Sequence, residues 1–226
     1  MNYEPLNNMY KLTKRIFDII VAGIALILLS PVLIPSIIIL LFTGEHEVFY
    51  KQKRVGYKNK FFGIWKFATM LKNSPNIGTG EITLRNDPRV TSFGRLLRIT
   101  KINELPQIIN VFKGDMSLVG PRPLMEVSVK LYPDEIRDKI YNVKPGMTGI
   151  GSLIFRDEEK IVSDAEDPKA MYAKIYPYKG ALEMWYQQHA SMYTDIMIMF
   201  LTAWSIVSPQ NQLVNKVFKD LPVRNF

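Results

Sequence analysis

Residues 16–42 read IFDIIVAGIALILLSPVLIPSIIILLF and form a long apolar stretch in which Asp18 is the only charged residue. A helix needs about 20 consecutive apolar residues to cross the hydrocarbon core of a bilayer, and this stretch exceeds that length. A signal peptide would have a shorter apolar region and a small-residue cleavage site, and neither is evident here. The stretch therefore predicts a membrane-inserted segment near the start of the chain.

Two prolines interrupt the apolar stretch, and Ser30 stands directly before the first of them, Pro31. A proline inside a helix removes a hydrogen bond and clashes with the preceding turn, so we expect a sharp bend at Ser30-Pro31. The part before Ser30 has about 15 residues and would reach roughly 22 Å, which is shorter than the bilayer core of about 30 Å. The lengths favour a segment that enters the membrane and bends back.

Basic residues flank the apolar stretch on both sides: Lys11, Lys14 and Arg15 before it, and Lys51, Lys53, Arg54, Lys58 and Lys60 after it. Basic flanks stay on the cytoplasmic side of a membrane, and a spanning helix would leave one of them outside. A re-entrant hairpin over residues 1–43, with both flanks cytoplasmic, is therefore favoured. One kinked spanning helix is the alternative.

Composition limits the kinds of site that the rest of the chain can contain. The chain has 226 residues and a formal charge of +8, which favours phosphate-rich partners such as lipid headgroups, nucleotides or nucleic acid. It has no cysteine and only two histidines, which excludes disulfides, thiolate nucleophiles and zinc-thiolate sites and argues against a polyhistidine metal site. Its size fits one modest domain beside the membrane element.

Residues 48–70 predict a β-hairpin with its turn near Gly56 and Asn59. The basic residues of this hairpin either face solvent or bind phosphate groups, and Arg54 and Lys66 are the candidates for phosphate binding. Residues 73–80 follow as a loop rich in Ser, Pro, Asn and Gly, which lacks the Gly-Lys-Ser/Thr ending of a P-loop.

Residues 90–110 have a helical pattern that Pro106 breaks, and Asn103 and Glu104 lie just before this break. Side chains at such a junction project from a helix end, so both are candidate site residues. Further on, Gly120-Pro121-Arg122-Pro123 predicts a rigid extended segment that holds Arg122 for contact with a phosphate.

Four further charged residues are candidate site residues that also have a structural interpretation. Arg89 and Arg98 bind phosphate or form ion pairs that hold the adjacent helix. Asp87 begins a turn after Asn86, and Asp115 is either a functional acid or a residue of the Lys113-Gly114-Asp115 turn.

Seven motifs in order resemble those of the bacterial sugar transferases, the monotopic phosphoglycosyl transferases. They are Lys14-Arg15-x-Phe17-Asp18, Ser30-Pro31, Lys66-Phe67, Asn103-Glu104-Leu105-Pro106-Gln107, Lys113-Gly114-Asp115-Met116-Ser117, Gly120-Pro121-Arg122-Pro123 and Lys144-Pro145-Gly146-Met147-Thr148-Gly149. The resemblance covers about residues 11–210. Because many motifs occur in the right order, it is far more specific than any one of them.

The resemblance implies an enzyme that transfers a sugar 1-phosphate from a UDP-sugar to polyprenol phosphate and releases UMP. This would be the initiating membrane step of surface polysaccharide, exopolysaccharide or lipopolysaccharide synthesis. It also implies Mg²⁺ as cofactor, contact with membrane lipids, and a catalytic domain on the cytoplasmic face of the bacterial inner membrane. The implied fold is a small α/β domain with a β-hairpin and interfacial helices, anchored by a re-entrant helix that is broken at Ser30-Pro31.

One residue departs from the family pattern. The family motif reads Asp-Glu-Leu-Pro, and its aspartate attacks the sugar diphosphate, whereas this chain has Asn103. A neutral amide is not a useful nucleophile, although Asn103 can still join Glu104 in binding a metal or donate a hydrogen bond to phosphate. Three alternatives follow: Glu104 becomes the nucleophile, polyprenol phosphate attacks directly, or the chain is a catalytically silent scaffold held at the membrane.

The C-terminal third carries weaker signals. The charged run at residues 156–159 either faces solvent or helps to bind sugar, uridine or metal, and the aromatic residues between 172 and 186 are expected in the core or at the membrane interface. Residues 192–208 predict a helix lying in the membrane interface. We therefore expect a cytosolic catalytic domain over residues 44–210 and a polar tail over 211–226, with a homodimer left open.

Nucleic-acid binding would also explain the positive charge. None of the usual nucleic-acid-binding fingerprints is present, and the apolar stretch would then have no purpose. We therefore expect no nucleic-acid partner.

Overall fold

The computed structural model describes residues 6–74, 87–208 and 213–224. Its helices are α1 (Asn8–Phe42), α2 (Ser92–Ile99), α3 (Gln107–Lys113), α4 (Glu126–Val129), α5 (Asp134–Arg137), α6 (Ile150–Ile154), α7 (Glu158–Ser163), α8 (Pro168–Gln188), α9 (Met192–Val207) and α10 (Leu213–Val217), and its strands are β1 (Phe49–Val55), β2 (Phe61–Phe67), β3 (Ser117–Val119) and β4 (Gly146–Thr148). This mixture of helices and small sheets confirms the predicted α/β class. Most of the loop predicted at 73–80, and Asn86 of the predicted turn, lie outside the described residues.

Helix α1 contains the whole apolar stretch and continues through both prolines. Pro31 has no N–H to donate to the carbonyl oxygen of Ile27, and the Ser30 hydroxyl donates to that oxygen instead, at 2.7 Å. The predicted break at Ser30-Pro31 is therefore not confirmed, because a neighbouring side chain satisfies the carbonyl that the proline leaves free. By length and composition α1 is able to cross a membrane.

Helix α1 packs along the folded domain over much of its length. Near its start, the buried Asp18 carboxylate accepts a hydrogen bond from the Leu118 backbone N–H at 3.1 Å. In its middle, Ala22 is buried against Val111 of α3. Toward its end, Leu40 is buried in a cluster that includes Phe67 of β2. The domain therefore lies beside α1 and not only at one end of it.

Strands β1 and β2 form the predicted antiparallel hairpin, in register from Phe49↔Phe67 to Val55↔Phe61. The turn between them contains Lys58 and Asn59 with positive φ angles of 54° and 57°. Side chains alternate between the faces of a strand, so Arg54 and Lys66 share one face while Lys51 and Trp65 share the other.

Strands β3 and β4 pair in parallel and form a second, two-stranded sheet. Their backbones pass so closely that a Cβ atom on Gly120 would collide with the Lys144 carbonyl oxygen, and one on Gly146 would collide with the Gly120 nitrogen. Glycine at these two positions allows the approach that fixes the segment after β3.

Helices α8 and α9 pack against the β3–β4 pair around the largest hydrophobic cluster. Trp185 and Tyr186 are buried there, and Tyr176 is buried in the neighbouring cluster, which confirms core positions for these aromatic residues. The predicted helix at 192–208 is confirmed as α9. Phe218, within the predicted polar tail, is buried in the same cluster as Trp185.

Candidate active site

The candidate site begins at the junction before α3. A short 3₁₀ turn, Ile102–Glu104, follows Lys101, whose positive φ of 59° reverses the chain after α2. Pro106 then starts α3. This sequence of reversal, turn and new helix places Asn103 and Glu104 at a helix end, as the motif predicts, where their side chains are only partly covered.

Two cations meet at one oxygen of Glu104. Lys66 Nζ lies 3.5 Å from Glu104 Oε1, and Arg122 Nη2 lies 3.7 Å from the same atom. The Arg122 side chain is about half exposed at 47%, whereas the Lys66 side chain is exposed by only 18%. Sequence reasoning named these three residues separately, and the fold brings them together from β2, the turn before α3 and the segment after β3.

The electrostatic balance of this cluster favours an anion. The pKa of Lys66 is lowered from 10.5 to about 8, mainly by burial and in part by the nearby Arg54 and Arg122, against the attraction of Glu104. Burial also opposes ionisation of Glu104, but attraction by Arg122, Lys66 and Lys101 keeps its pKa below the usual value. The single Glu104 carboxylate thus lies among several cations in a partly buried cluster. A bound phosphate would reduce the repulsion between these cations.

Arg122 projects from a backbone that is held on both sides. The buried Tyr141 hydroxyl donates to the Arg122 carbonyl oxygen at 2.8 Å and accepts from the Leu124 N–H at 3.1 Å. The Gly146 N–H donates to the Pro121 carbonyl oxygen at 2.9 Å. The guanidinium group is therefore carried by a fixed backbone, as the two flanking prolines predict.

A cavity of about 440 Å³ opens beside the cluster. Its charged and polar lining includes Arg54, Lys66, Arg98 and Asn103, and its apolar lining includes Phe49, Phe67, Met70, Leu71 and Met125. Arg54 donates to Gln52 Oε1 at 2.6 Å, and Arg98 lies 3.4 Å from Thr69 Oγ1. Cations at one part of the wall and apolar side chains at another suit a ligand with both phosphate and ring components.

Asn103 presents a buried acceptor to this region. Its Oδ1 atom is shielded from solvent and has no hydrogen-bond partner within residues 6–74, 87–208 and 213–224. An unpaired buried oxygen costs free energy unless a donor or a cation occupies the site, so this atom indicates a ligand-binding function.

Comparison with known proteins gives the family of the chain. Residues 9–209 match the family described as bacterial sugar transferase. The chain belongs to the bacterial sugar transferase family. The resemblance inferred from the motifs is thereby confirmed.

Three relatives show how the match is distributed. The chain is 33% identical over 204 residues to undecaprenyl-phosphate galactose phosphotransferase of Salmonella typhimurium, covering 84% of this chain and 39% of that protein. It is 30% identical over 213 residues to exopolysaccharide production protein ExoY of Rhizobium meliloti, covering 88% and 86%. It is 34% identical over 205 residues to uncharacterized sugar transferase EpsL of Bacillus subtilis, covering 90% and 92%. The chain thus spans well under half of the Salmonella relative and most of ExoY and EpsL.

Two of the weaker candidates, Arg89 and Asp87, have structural contacts instead. Arg89 is buried, its Nη2 lies 2.6 Å from Asp87 Oδ2, and its Nη1 donates to the Ser74 carbonyl oxygen at 2.7 Å. Neither it nor Asp87 lines the 440 Å³ cavity. Asp87, two residues before Arg89, forms an ion pair with it within the turn. The geometry therefore favours the ion-pair alternative for Arg89.

Asp115 also has a structural contact. It accepts from Asn110 Nδ2 at 3.2 Å, beside the left-handed Gly114 that ends α3. This matches the turn alternative given for it.

Sequence reasoning missed Asn110, which joins the two elements of the cluster. Its fully buried side chain accepts from the Trp65 N–H at 2.9 Å and donates to the Gly63 carbonyl oxygen at 2.9 Å. These bonds dock α3 against β2 immediately before Lys66. An asparagine inside a helical pattern carries no signal for this contact, because the partner atoms belong to a distant backbone.

Sequence reasoning also missed the buried charges of α8. Lys179 Nζ lies 2.8 Å from Glu158 Oε2, and both Lys179 and Glu183 are almost fully buried. Burial raises the pKa of Glu183 to about 7 despite the attraction of Lys179. Residues 156–159 were predicted to face solvent or help to bind substrate, and Glu158 instead pairs with Lys179.

The residues present are compatible with magnesium. No group of three or more His, Cys, Asp or Glu that could hold a metal occurs in the described parts of the chain. Mg²⁺, however, is usually bound by one or two carboxylates together with substrate phosphates. The Glu104 carboxylate and the unpaired Oδ1 of Asn103 are adjacent oxygen ligands of the required type.

Proposed function

We propose that this chain transfers a sugar 1-phosphate from a UDP-sugar to polyprenol phosphate and releases UMP, as the initiating membrane step of surface polysaccharide or glycoconjugate synthesis. The observation that carries the proposal is the convergence of Lys66 and Arg122 on Glu104 beside a cavity lined by further cations. Several relatives are named as undecaprenyl-phosphate sugar phosphotransferases, which supports the choice of substrates.

The reaction requires little covalent chemistry from the protein. An oxygen of polyprenol phosphate attacks the sugar-linked phosphorus of the UDP-sugar, and the bond from that phosphorus to the UMP oxygen breaks. UMP leaves with the bonding electron pair. Lys66, Arg122 and Arg54 stabilise the negative charge on the transferring and leaving groups, which is the main contribution of proteins to phosphoryl transfer.

Asn103 makes a covalent route through that position unsuitable, since an amide does not form an acyl phosphate. Of the remaining routes, Glu104 attack and direct attack by the lipid phosphate, we favour direct attack. The Glu104 carboxylate shares its Oε1 between two cations, which lowers its nucleophilicity. In this route Glu104 orients Lys66 and Arg122 until the diphosphate binds.

Magnesium, when bound, would neutralise part of the diphosphate charge. Glu104 and Asn103 are the residues that would hold it, through one carboxylate and one amide oxygen. The unpaired buried Oδ1 of Asn103 supports this assignment.

The packing of α1 supports a placement in which the membrane segment does not cross the bilayer upright. The domain contacts α1 from Asp18 to Leu40, so an upright span would carry the basic β1–β2 hairpin into or across the hydrocarbon. A re-entrant or strongly tilted α1 keeps the hairpin at the cytoplasmic surface. Exposed Ile196, Phe200 and Trp204 give α9 an apolar side for the same interface.

Asn103 also favours a second candidate, a catalytically silent scaffold held at the membrane. This candidate retains α1 and the binding cavity but lacks the nucleophile that the family motif provides. It predicts substrate binding without turnover.

The deciding experiment is UMP release by the purified chain in nanodiscs with polyprenol phosphate, magnesium and a panel of UDP-sugars. The unaltered chain is compared with Asn103→Asp and Glu104→Ala. Turnover by the unaltered chain that Glu104→Ala abolishes supports the enzyme. Silence of the unaltered chain together with activity of Asn103→Asp supports the scaffold and refutes the direct route.

A UMP burst by the unaltered chain in the absence of lipid would also contradict direct attack. Such a burst would mean that Glu104 takes the phosphosugar first.

A further inference from the structure

A row of lysine and aromatic side chains lies on the face of the hairpin opposite to Lys66. Lys51 Nζ lies 4.2 Å from the centre of the Trp65 ring, and Lys53 Nζ lies 3.9 Å from the centre of the Phe61 ring. We call these four residues the lysine–aromatic stripe. Both lysines and Phe61 are exposed, so the stripe is a surface and not part of the core.

No acidic side chain in residues 6–74, 87–208 or 213–224 forms an ion pair with the lysines of this stripe, Lys51 and Lys53. Residues 48–80 contain no Asp or Glu at all, and Lys58 and Lys60 add exposed positive charge at the turn of the hairpin. The surface is therefore complementary to an extended layer of anions.

The stripe continues directly from the apolar anchor. Phe49 lies on the same face, with its ring 5.4 Å from Trp65 and 5.5 Å from Phe67. Phe49 and Phe67 in turn pack in the cluster that contains Leu40 of α1. The stripe is thus joined through Phe49 to a buried apolar cluster that it shares with α1, and the sequence from apolar helix through aromatic rings to lysine ammonium groups matches the order of polarity from hydrocarbon to headgroups.

We infer that the lysine–aromatic stripe binds the phosphate groups of anionic phospholipids in the leaflet that holds α1. Tryptophan prefers the headgroup level, and each lysine near an anionic leaflet contributes roughly a fivefold gain in partitioning. The inference rests on the membrane placement proposed above but not on catalysis. The stripe lies on the opposite face of the hairpin from Arg54 and Lys66, so it is separate from the candidate active site.

The test uses Trp65 as a reporter in nanodiscs that contain phosphatidylcholine and phosphatidylglycerol. The chain has three tryptophans, and Trp185→Phe with Trp204→Phe leaves Trp65 alone. Quenching by phosphatidylglycerol brominated near the glycerol is compared with quenching by equally brominated phosphatidylcholine at the same mole fraction. Circular dichroism and thermal unfolding in detergent check that each variant folds.

We expect phosphatidylglycerol to quench Trp65 several-fold more effectively than phosphatidylcholine, and the excess to disappear in Lys51→Gln/Lys53→Gln and in high salt. The matched control Lys130→Gln/Lys174→Gln loses two exposed charges elsewhere and should keep the excess. Equal quenching by the two lipids in the unaltered stripe, or an excess that survives Lys51→Gln/Lys53→Gln, would overturn the inference.

A second reporter shows whether a negative result comes from a wrong headgroup contact or from a wrong membrane placement. A chain that keeps only Trp204, on the exposed side of α9, should be quenched by both lipids in every variant. If neither tryptophan is quenched, the membrane placement itself is wrong and the inference falls with it. If Trp204 is quenched and Trp65 shows no lipid preference, only the headgroup contact is wrong.

Discussion

Replacing Lys66 by methionine should stabilise the fold while it weakens the site. The pKa of Lys66 is about 8 against 10.5 for an ordinary lysine, because burial and the nearby arginines disfavour its charge. At about 1.4 kcal/mol per pKa unit, the charged Lys66 lowers the free energy of unfolding by about 3 kcal/mol at pH 7. That figure already includes the attraction of Glu104, which raises the pKa of Lys66, so we expect a gain of up to about 3 kcal/mol in Lys66→Met.

The pH dependence of this gain follows from the direction of the pKa shift. Between pH 8 and 10.5 the unfolded chain binds the lysine proton and the folded chain does not, so the unaltered chain becomes more stable as pH rises through that window. The advantage of Lys66→Met should therefore be full below about pH 8 and should vanish above about pH 10.5.

The assay is thermal unfolding in detergent at pH 7 and at pH 10, with UDP binding measured by calorimetry at pH 7. Lys51→Met is the matched control, since Lys51 is exposed and should show no such gain. UDP should bind at least tenfold more weakly to Lys66→Met, because a charge-assisted phosphate contact is lost. A lower melting temperature of Lys66→Met at pH 7, or an equal gain at both pH values, would refute the reasoning.

Three further predictions concern the groups around Lys66. Binding of UDP near pH 8 should take up about half a proton, since Lys66 is half protonated there and phosphate beside it raises its pKa; calorimetry in buffers of different ionisation enthalpy should detect an uptake that is absent in Lys66→Met. Tyr141→Phe leaves the Arg122 carbonyl without that hydroxyl, so the chain should lose about 1–2 kcal/mol of stability and its KM for UDP-sugar should rise several-fold. Asn110→Asp removes the donor to Gly63, so kcat/KM for UMP release should fall about tenfold, and an unchanged value would exclude a positioning role.

Much of the hairpin and of the Glu104 region could be predicted from local patterns. Gly56 and Asn59 carry the turn chemistry that the hairpin needs, and Pro106 marks a helix start whatever surrounds it. The proximity of Lys66, Glu104 and Arg122 could not be predicted from their spacing in the sequence, because it depends on contacts between elements that are distant along the chain. The family resemblance was what indicated that they share a site.

Three outcomes that sequence patterns alone could not decide have local physical causes. A bend at Ser30-Pro31 was inferred from the hydrogen bond that Pro31 cannot make, and the Ser30 hydroxyl supplies a substitute within the helix. Arg89 had both a phosphate-binding and an ion-pair alternative, and the neighbouring Asp87 pairs with it inside the turn. The buried Lys179 resembles a solvated helix residue in the sequence, since only the tertiary fold covers it and places Glu158 beside it.

The measurement that tests the central claim most directly is detection of the lipid product by mass spectrometry. The unaltered chain in nanodiscs is incubated with polyprenol phosphate, magnesium and each UDP-sugar, with Arg122→Ala and Lys51→Gln/Lys53→Gln as site and non-site variants. We expect one UDP-sugar to yield polyprenol phosphate heavier by a sugar phosphate group. Arg122→Ala should lose this product, and the stripe variant should keep it. Absence of the product with every UDP-sugar from a folded, membrane-bound chain would contradict the account.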